Sequence, residues 1–211
     1  MNLRALALAA TASCAMATAR AQTPAEPPRR MDAARLMAEL MGGRVPVGMP
    51  FALPDQHGRS VGPVDWRGRV VLLYFGYLFC PDACPTDLRA IADAIDSLGA
   101  EGAKVQPVFV TLDPVRDTPE LAGRYAEAFH PRFAALRGSE VQTRQLALAY
   151  KVYFEKVPLA SGGYAIDHTS FTYVLGPDGR YVGYFPPGTS GRRMADFVRT
   201  VLPATGAAAT R

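Results

Sequence analysis

Two spacings of apolar residues alternate along the chain. Val70-Val-Leu-Leu-Tyr-Phe-Gly-Tyr77 is an unbroken apolar run of strand length, the pattern of a strand covered on both faces. Straight after Cys80-Pro-Asp-Ala-Cys84-Pro, Leu88, Ile91, Ile95 and Leu98 recur at helical spacing, and Gly99 stops the helix. Lys104 to Leu112 reads as the next strand. Thr118-Pro-Glu120 predicts a capped helix with Pro at its first position, running to Phe129. A short strand, Phe133 to Leu136, precedes a helix from Ser139 to Tyr150 with Val141, Leu146, Leu148 and Ala149 apolar. Phe171 to Leu175 and Tyr181 to Phe185 flank the turn Gly176-Pro-Asp-Gly179. A final helix spans about Ser190 to Val201.

Upstream, Pro50 to Asp55 and Ser60 to Gly62 flank Gln56-His57-Gly58-Arg59 and predict a hairpin. Met31 to Met41 has Leu36, Met37, Leu40 and Met41 on one helical face, stopped by Gly42-Gly43, so its methionines are expected to pack. The order of elements predicts an α/β domain with a mixed central sheet, helices on both faces and an N-terminal hairpin. Cysteines closing the first core strand and opening the first long helix mark a thioredoxin-like arrangement.

Composition narrows the class. With 211 residues, 49% hydrophobic and 20% charged, the chain can bury a full core and is not of disordered type. The net charge of +4 is scattered rather than in runs, which sets nucleic acid aside as a partner. Met1 to Arg4, the apolar stretch Ala5 to Ala19, and Ala19-Arg-Ala21 read as a secretory signal cleaved after Ala21, or as an uncleaved N-terminal anchor. Lipid attachment at Cys14 is a further alternative. Each places the folded domain outside the cytoplasm, in the periplasm. The expected organisation is 1–21 signal or anchor, 22–44 linker and short helix, 45–202 folded domain, and 203–211 a flexible tail.

The candidate chemistry lies in few residues. Cys80 and Cys84 are the only cysteines beyond the leader, and helix N–H groups at a strand-to-helix junction favour thiolate. A structural disulfide there would close a very small loop, contributing about 2 kcal/mol, which a domain of this size does not need. Of the three histidines, His57 falls in a hairpin turn and His130 at a helix C-terminus, where it reads as a dipole-favoured cap. His168 stands on a loop before the strand Phe171 to Leu175, where it could reach the thiols. Two thiolates and an imidazole suit copper. The dithiol alone suits disulfide exchange.

Tyr74-Phe-Gly-Tyr77, Cys80-Pro-Asp-Ala-Cys84-Pro, Thr111-Leu-Asp113-Pro-Val-Arg116-Asp117-Thr-Pro119-Glu and Asp167-His168-Thr-Ser170 occur in the order of the SCO/SenC family. The chain resembles that family of thioredoxin-fold copper proteins from Val45 to Leu202. The resemblance implies copper as cargo, Cys80, Cys84 and His168 as its ligands, and cytochrome c oxidase subunit II as recipient. It also implies that Asp113 and its neighbours lie near the site. Asp113, Arg116 and Asp117 are expected to serve docking or support, the alternative being a helix-start turn capped by Asp117. Asp167 or a backbone group would orient the His168 ring.

Two functions follow. One is an extracytoplasmic copper chaperone for the binuclear copper site of that subunit, a metal-transfer protein and not an enzyme. The other is a thiol–disulfide oxidoreductase that reduces the recipient's cysteines before metallation. An upstream copper donor or thiol reductant would be a further partner, and the N-terminal segment a membrane tether. A thioredoxin-fold peroxidase is disfavoured, because Tyr77-Leu-Phe-Cys80 lacks the Thr or Ser expected three residues before a peroxidatic cysteine.

Overall fold

The computed structural model of the chain describes residues 32–203. The signal or anchor, the linker up to Met31 and the tail beyond Pro203 lie outside the described residues. Helix α1, Ala33–Gly42, starts at Asp32, whose carboxylate accepts from the Arg35 N–H at 3.0 Å, and ends at Gly43 with φ +61°. It buries Leu36 and Leu40. Met37 is half-buried and Met41 is exposed, so Met41 does not pack as its helical spacing suggested. Strands β1, Leu53–Pro54, and β2, Ser60–Val61, form the expected antiparallel hairpin.

The core sheet is built from β3, Val70–Gly76, β4, Val105–Thr111, β5, Ala134–Leu136, β8, Thr172–Leu175, and β9, Tyr181–Phe185. Their order is β5-β4-β3-β8-β9. Strands β3, β4 and β5 are parallel, and β8 and β9 are antiparallel additions, so the sheet is mixed. Every residue of β3 and β4 is buried, as the unbroken apolar runs require. Side-chain alternation splits the core into two layers. Val70, Leu72 and Tyr74 face helices α2, Ala83–Ser97, α3, Pro119–Glu127, and α5, Gly191–Val201. Val71, Leu73 and Phe75 face α1 and helix α4, Glu140–Ala149. This is the thioredoxin-like α/β architecture expected from the sequence.

Several local expectations are corrected. A second hairpin, β6, Phe154–Pro158, and β7, Tyr164–His168, occupies the stretch read as a loop. It buries only Phe154 and Ile166, so it carries no strong alternation that a sequence could display. In α4, Val141 and Leu148 are exposed and the buried positions are Thr143, Leu146 and Ala147. Helix α3 is capped by Thr118, whose hydroxyl accepts from the Leu121 N–H, and not by Asp117. His130 does not act as a cationic cap. Its Nδ1 accepts from the Arg132 N–H at 3.2 Å, and burial holds its pKa below the usual value despite the nearby Asp96.

Candidate metal centre

The centre forms where β3 hands over to α2. The chain leaves β3 at Gly76 and turns through Tyr77 to Phe79, with the Cys80 N–H bonded to the Tyr77 carbonyl at 3.3 Å. Helix α2 starts with no side-chain cap from Asp82. Instead the Cys84 N–H points at Cys80 Sγ, 3.4 Å away, so an unpaired helix N-terminal donor is spent on a sulfur. Cys84 lies in the first helical turn and is fully buried, while Cys80 is half-buried. The Cys84 sulfur rests over Gly76, where a Cβ would come within 2.8 Å of it. Only glycine leaves that space open.

His168 arrives from the opposite direction, as the last residue of β7, paired with Phe154. It is therefore a strand-end residue and not the loop residue expected. Its Nδ1 lies 3.1 Å from the Thr169 carbonyl, which can only accept, so Nδ1 carries the proton. That leaves the Nε2 lone pair directed at the thiols, 3.5 Å from Cys84 Sγ. The orienting group is thus a backbone carbonyl, and Asp167 is exposed. The Tyr77 ring meets the imidazole edge-on at 5.8 Å. The donor atoms of Cys80, Cys84 and His168 all lie within 4.8 Å of one another, the one such His/Cys/Asp/Glu cluster among the described residues.

The two thiols are electrically unlike. Hydrogen bonding from Cys84 pulls the Cys80 thiol down to about 3, with help from backbone N–H groups and against its own burial. The bond to Cys80, together with burial, pushes the Cys84 thiol up. The pair therefore gives up one proton readily and holds the second until something replaces it. A soft cation held by the two sulfurs would do so, and the imidazole could supply a third donor.

The carboxylates after β4 brace this centre and are not ligands. Asp113 and Asp117 are fully buried, so neither can touch a docking partner. Asp117 takes the Thr111 hydroxyl at 2.5 Å and the Leu78 N–H at 3.2 Å, fixing the turn that leads to Cys80. Burial raises its pKa. Asp113 takes the Arg116 guanidinium and the Tyr164 hydroxyl, the latter at 2.9 Å. Arg116 also donates to the Tyr164 carbonyl at 2.8 Å and lies 3.7 Å from the centre of its ring. Tyr164 opens the strand that ends at His168, so this clamp ties the imidazole's strand to the thiol side of the sheet.

Sequence reasoning missed Tyr164, because nothing marked β6 and β7 as a hairpin. It also passed over Asp87, a buried carboxyl on α2. The available signal was its position beside Leu88 on the apolar face.

Comparison with known proteins agrees with this fold. The family model described as SCO1/SenC matches residues 41–203. An SCO2-like protein of Rickettsia prowazekii is 40% identical over 144 residues, covering 67% of this chain and 70% of the relative. The human mitochondrial protein SCO2 homolog is 40% identical over 157 residues, covering 73% of this chain, which spans only 59% of that relative's length. Bradyrhizobium japonicum ScoI, solved with copper bound, superposes with a TM-score of 0.68 at 35% identity, over 74% of this chain and 99% of that one.

Proposed function

Because the chain belongs to the SCO1/SenC family, we propose that it is an extracytoplasmic copper chaperone that carries copper on Cys80, Cys84 and His168. Its recipient in this reading is the binuclear copper site of cytochrome c oxidase subunit II. The observation that carries the reading is the convergence of two sulfurs and an imidazole nitrogen from separate elements within 4.8 Å. A dithiol exchanger gains little from the imidazole, whereas a copper site would use it directly. The copper-bound ScoI of Bradyrhizobium japonicum supports the choice of metal. The leader-like pattern of Met1 to Ala21 supports export, with the N-terminal segment as cleaved signal or tether. Among the described residues no helix is long and apolar enough to cross a membrane.

One observation favours a second reading. A half-buried thiol with a depressed pKa beside a buried thiol with a raised one is the asymmetry of a nucleophilic and a resolving cysteine. In that reading the pair reduces the recipient's cysteines: Cys80 thiolate attacks the disulfide, one recipient thiol leaves, Cys84 resolves the mixed disulfide, and the second recipient thiol leaves. Two parallel assays separate the readings. The reduced protein and its His168→Ala variant are titrated with Cu(I) and Cu(II), and both are given the oxidised recipient domain. Chaperone function predicts that the variant loses the Cu(II)–thiolate absorption and fails to restore the oxidase copper site. Unchanged copper spectra, with equal reduction of the recipient by both proteins, would establish the reductase instead.

A further inference from the structure

Arg116 is satisfied at two of its nitrogens and not at the third. Its Nε meets Asp113, and its Nη1 donates to the Tyr164 carbonyl at 2.8 Å. Its Nη2 is buried and has no hydrogen-bond partner among the described residues. A buried N–H without an acceptor is costly, and more so on a charged group. The centre of the Phe79 ring lies 5.0 Å from the same guanidinium carbon. Phe79 immediately precedes Cys80 and is 62% exposed. Val115, beside Arg116 in the chain, is exposed too, as is Leu159 at the tip of the β6–β7 hairpin, where its N–H bonds to the Gly163 carbonyl. These three apolar side chains come from the turn after β3, the loop after β4 and that hairpin, the segments that build the metal centre and its clamp. Single exposed apolar residues are ordinary on a protein surface. Here one of them borders both a half-buried thiol and an unsatisfied guanidinium N–H.

We propose that Phe79 and Arg116 are the docking point for the copper recipient: the Phe79 ring swings off the guanidinium onto an apolar collar around the recipient's copper site, and a recipient carboxylate takes Arg116 Nη2. The inference rests on the copper-chaperone reading above, in which the recipient must come to Cys80, one residue from Phe79. Aromatic rings and arginines that lose water on docking are the residue types that dominate interface energies. A carboxylate suits the open N–H because a bond between two charged groups is stronger than one to a neutral carbonyl, and the chain's net charge of +4 favours an acidic partner.

The test pairs the reduced full chain with the soluble copper domain of the oxidase subunit. Phe79→Ser removes the ring and leaves all three proposed copper donors in place, so both copper affinities should stay at wild-type values. Its affinity for the domain, measured copper-free, and its rate of copper transfer should both fall about tenfold, and Phe79→Trp should restore them. Val64→Ser removes an equally exposed side chain, also 62%, that precedes β3 and so stands at the other end of that strand from Cys80. It should change neither quantity. Added salt should weaken wild-type binding. The inference is overturned, with the copper reading left standing, by any of four results: Phe79→Ser binds and transfers like wild type, Phe79→Ser loses copper affinity, Val64→Ser loses as much as Phe79→Ser, or wild-type binding ignores salt. A wild type that holds Cu(I) yet passes none to the domain contradicts the chaperone reading and takes the inference with it.

Discussion

Cys84 and His168 stand 3.5 Å apart, yet they are held by different kinds of structure. The thiols sit on the β3–α2 junction, where all seven residues of β3 are buried and Leu88, Ile91 and Ile95 lock the helix to the sheet. The imidazole sits on a hairpin with one buried residue on each strand, Phe154 and Ile166. Its attachment to the thiol side is polar and local, through Arg116, Asp113 and Tyr164. The difference teaches a division of labour. The hydrophobic core fixes the two sulfurs and a polar clamp positions the nitrogen, which in the proposed copper site would matter more to Cu(II) than to Cu(I).

That contrast can be broken at either end. The largest effect is expected from replacing both Cys80 and Cys84 with Ser, which should abolish stoichiometric Cu(I) binding while circular dichroism stays unchanged. Next comes His168→Ala. Loss of the proposed nitrogen ligand should cost Cu(II) more than the ~10–100-fold that removing a ligand's supporting partner costs. Cu(I) should remain in two-coordinate form, measured by competition with a chelator of each state. Gly76→Ala places a methyl 2.8 Å from Cys84 Sγ. This overpacking should destabilise the reduced protein by about 1–3 kcal/mol in urea unfolding and weaken both copper states together. The smallest effect belongs to the clamp. Tyr164→Phe removes one hydrogen bond to buried Asp113 and should cost about 1 kcal/mol, with Cu(II) affinity falling and Cu(I) affinity kept. If Gly76→Ala spared Cu(I) while Tyr164→Phe abolished it, the division between core-held sulfur and clamp-held nitrogen would be wrong.

The thiols' asymmetry adds a pH dependence. The folded Cys80 pKa lies below its unfolded value of 9.0, so the stability that this group supplies is present above that pH and declines as pH falls toward about 3. Cys84 is shifted up, so its contribution is present below 9.0 and is lost as pH rises further. Alkylation of the reduced protein, followed by mass spectrometry, should therefore label Cys80 across pH 5 to 9 and leave Cys84 unlabelled throughout. Equal labelling of both would contradict the asymmetry.

The half of the molecule that was legible in the sequence is the half that the core holds. Val70 to Tyr77, the apolar face from Leu88 to Leu98, and the start at Thr118-Pro119 each carry one period or one cap, and each forms its element within a residue or two of the expectation. The hairpin β6–β7 was not legible, because Glu155 to Pro158 and Tyr164 to His168 satisfy neither spacing and gain their order from pairing with each other. His168 could be singled out from its motif, but its strand, its bond to the Thr169 carbonyl and the Tyr164 clamp needed the fold. Asp113 and Asp117 show the same limit. Their run marks the neighbourhood of the site and left docking and support both open, while their complete burial decides for support.

The most direct test of the central claim is X-ray absorption on the reduced protein loaded with one equivalent of Cu(I), beside the Cys80→Ser/Cys84→Ser variant. The account predicts a copper with two sulfur neighbours and one nitrogen in the wild type, and no bound equivalent in the variant. A full equivalent of copper retained by the double variant, or a wild-type copper without sulfur neighbours, would contradict it.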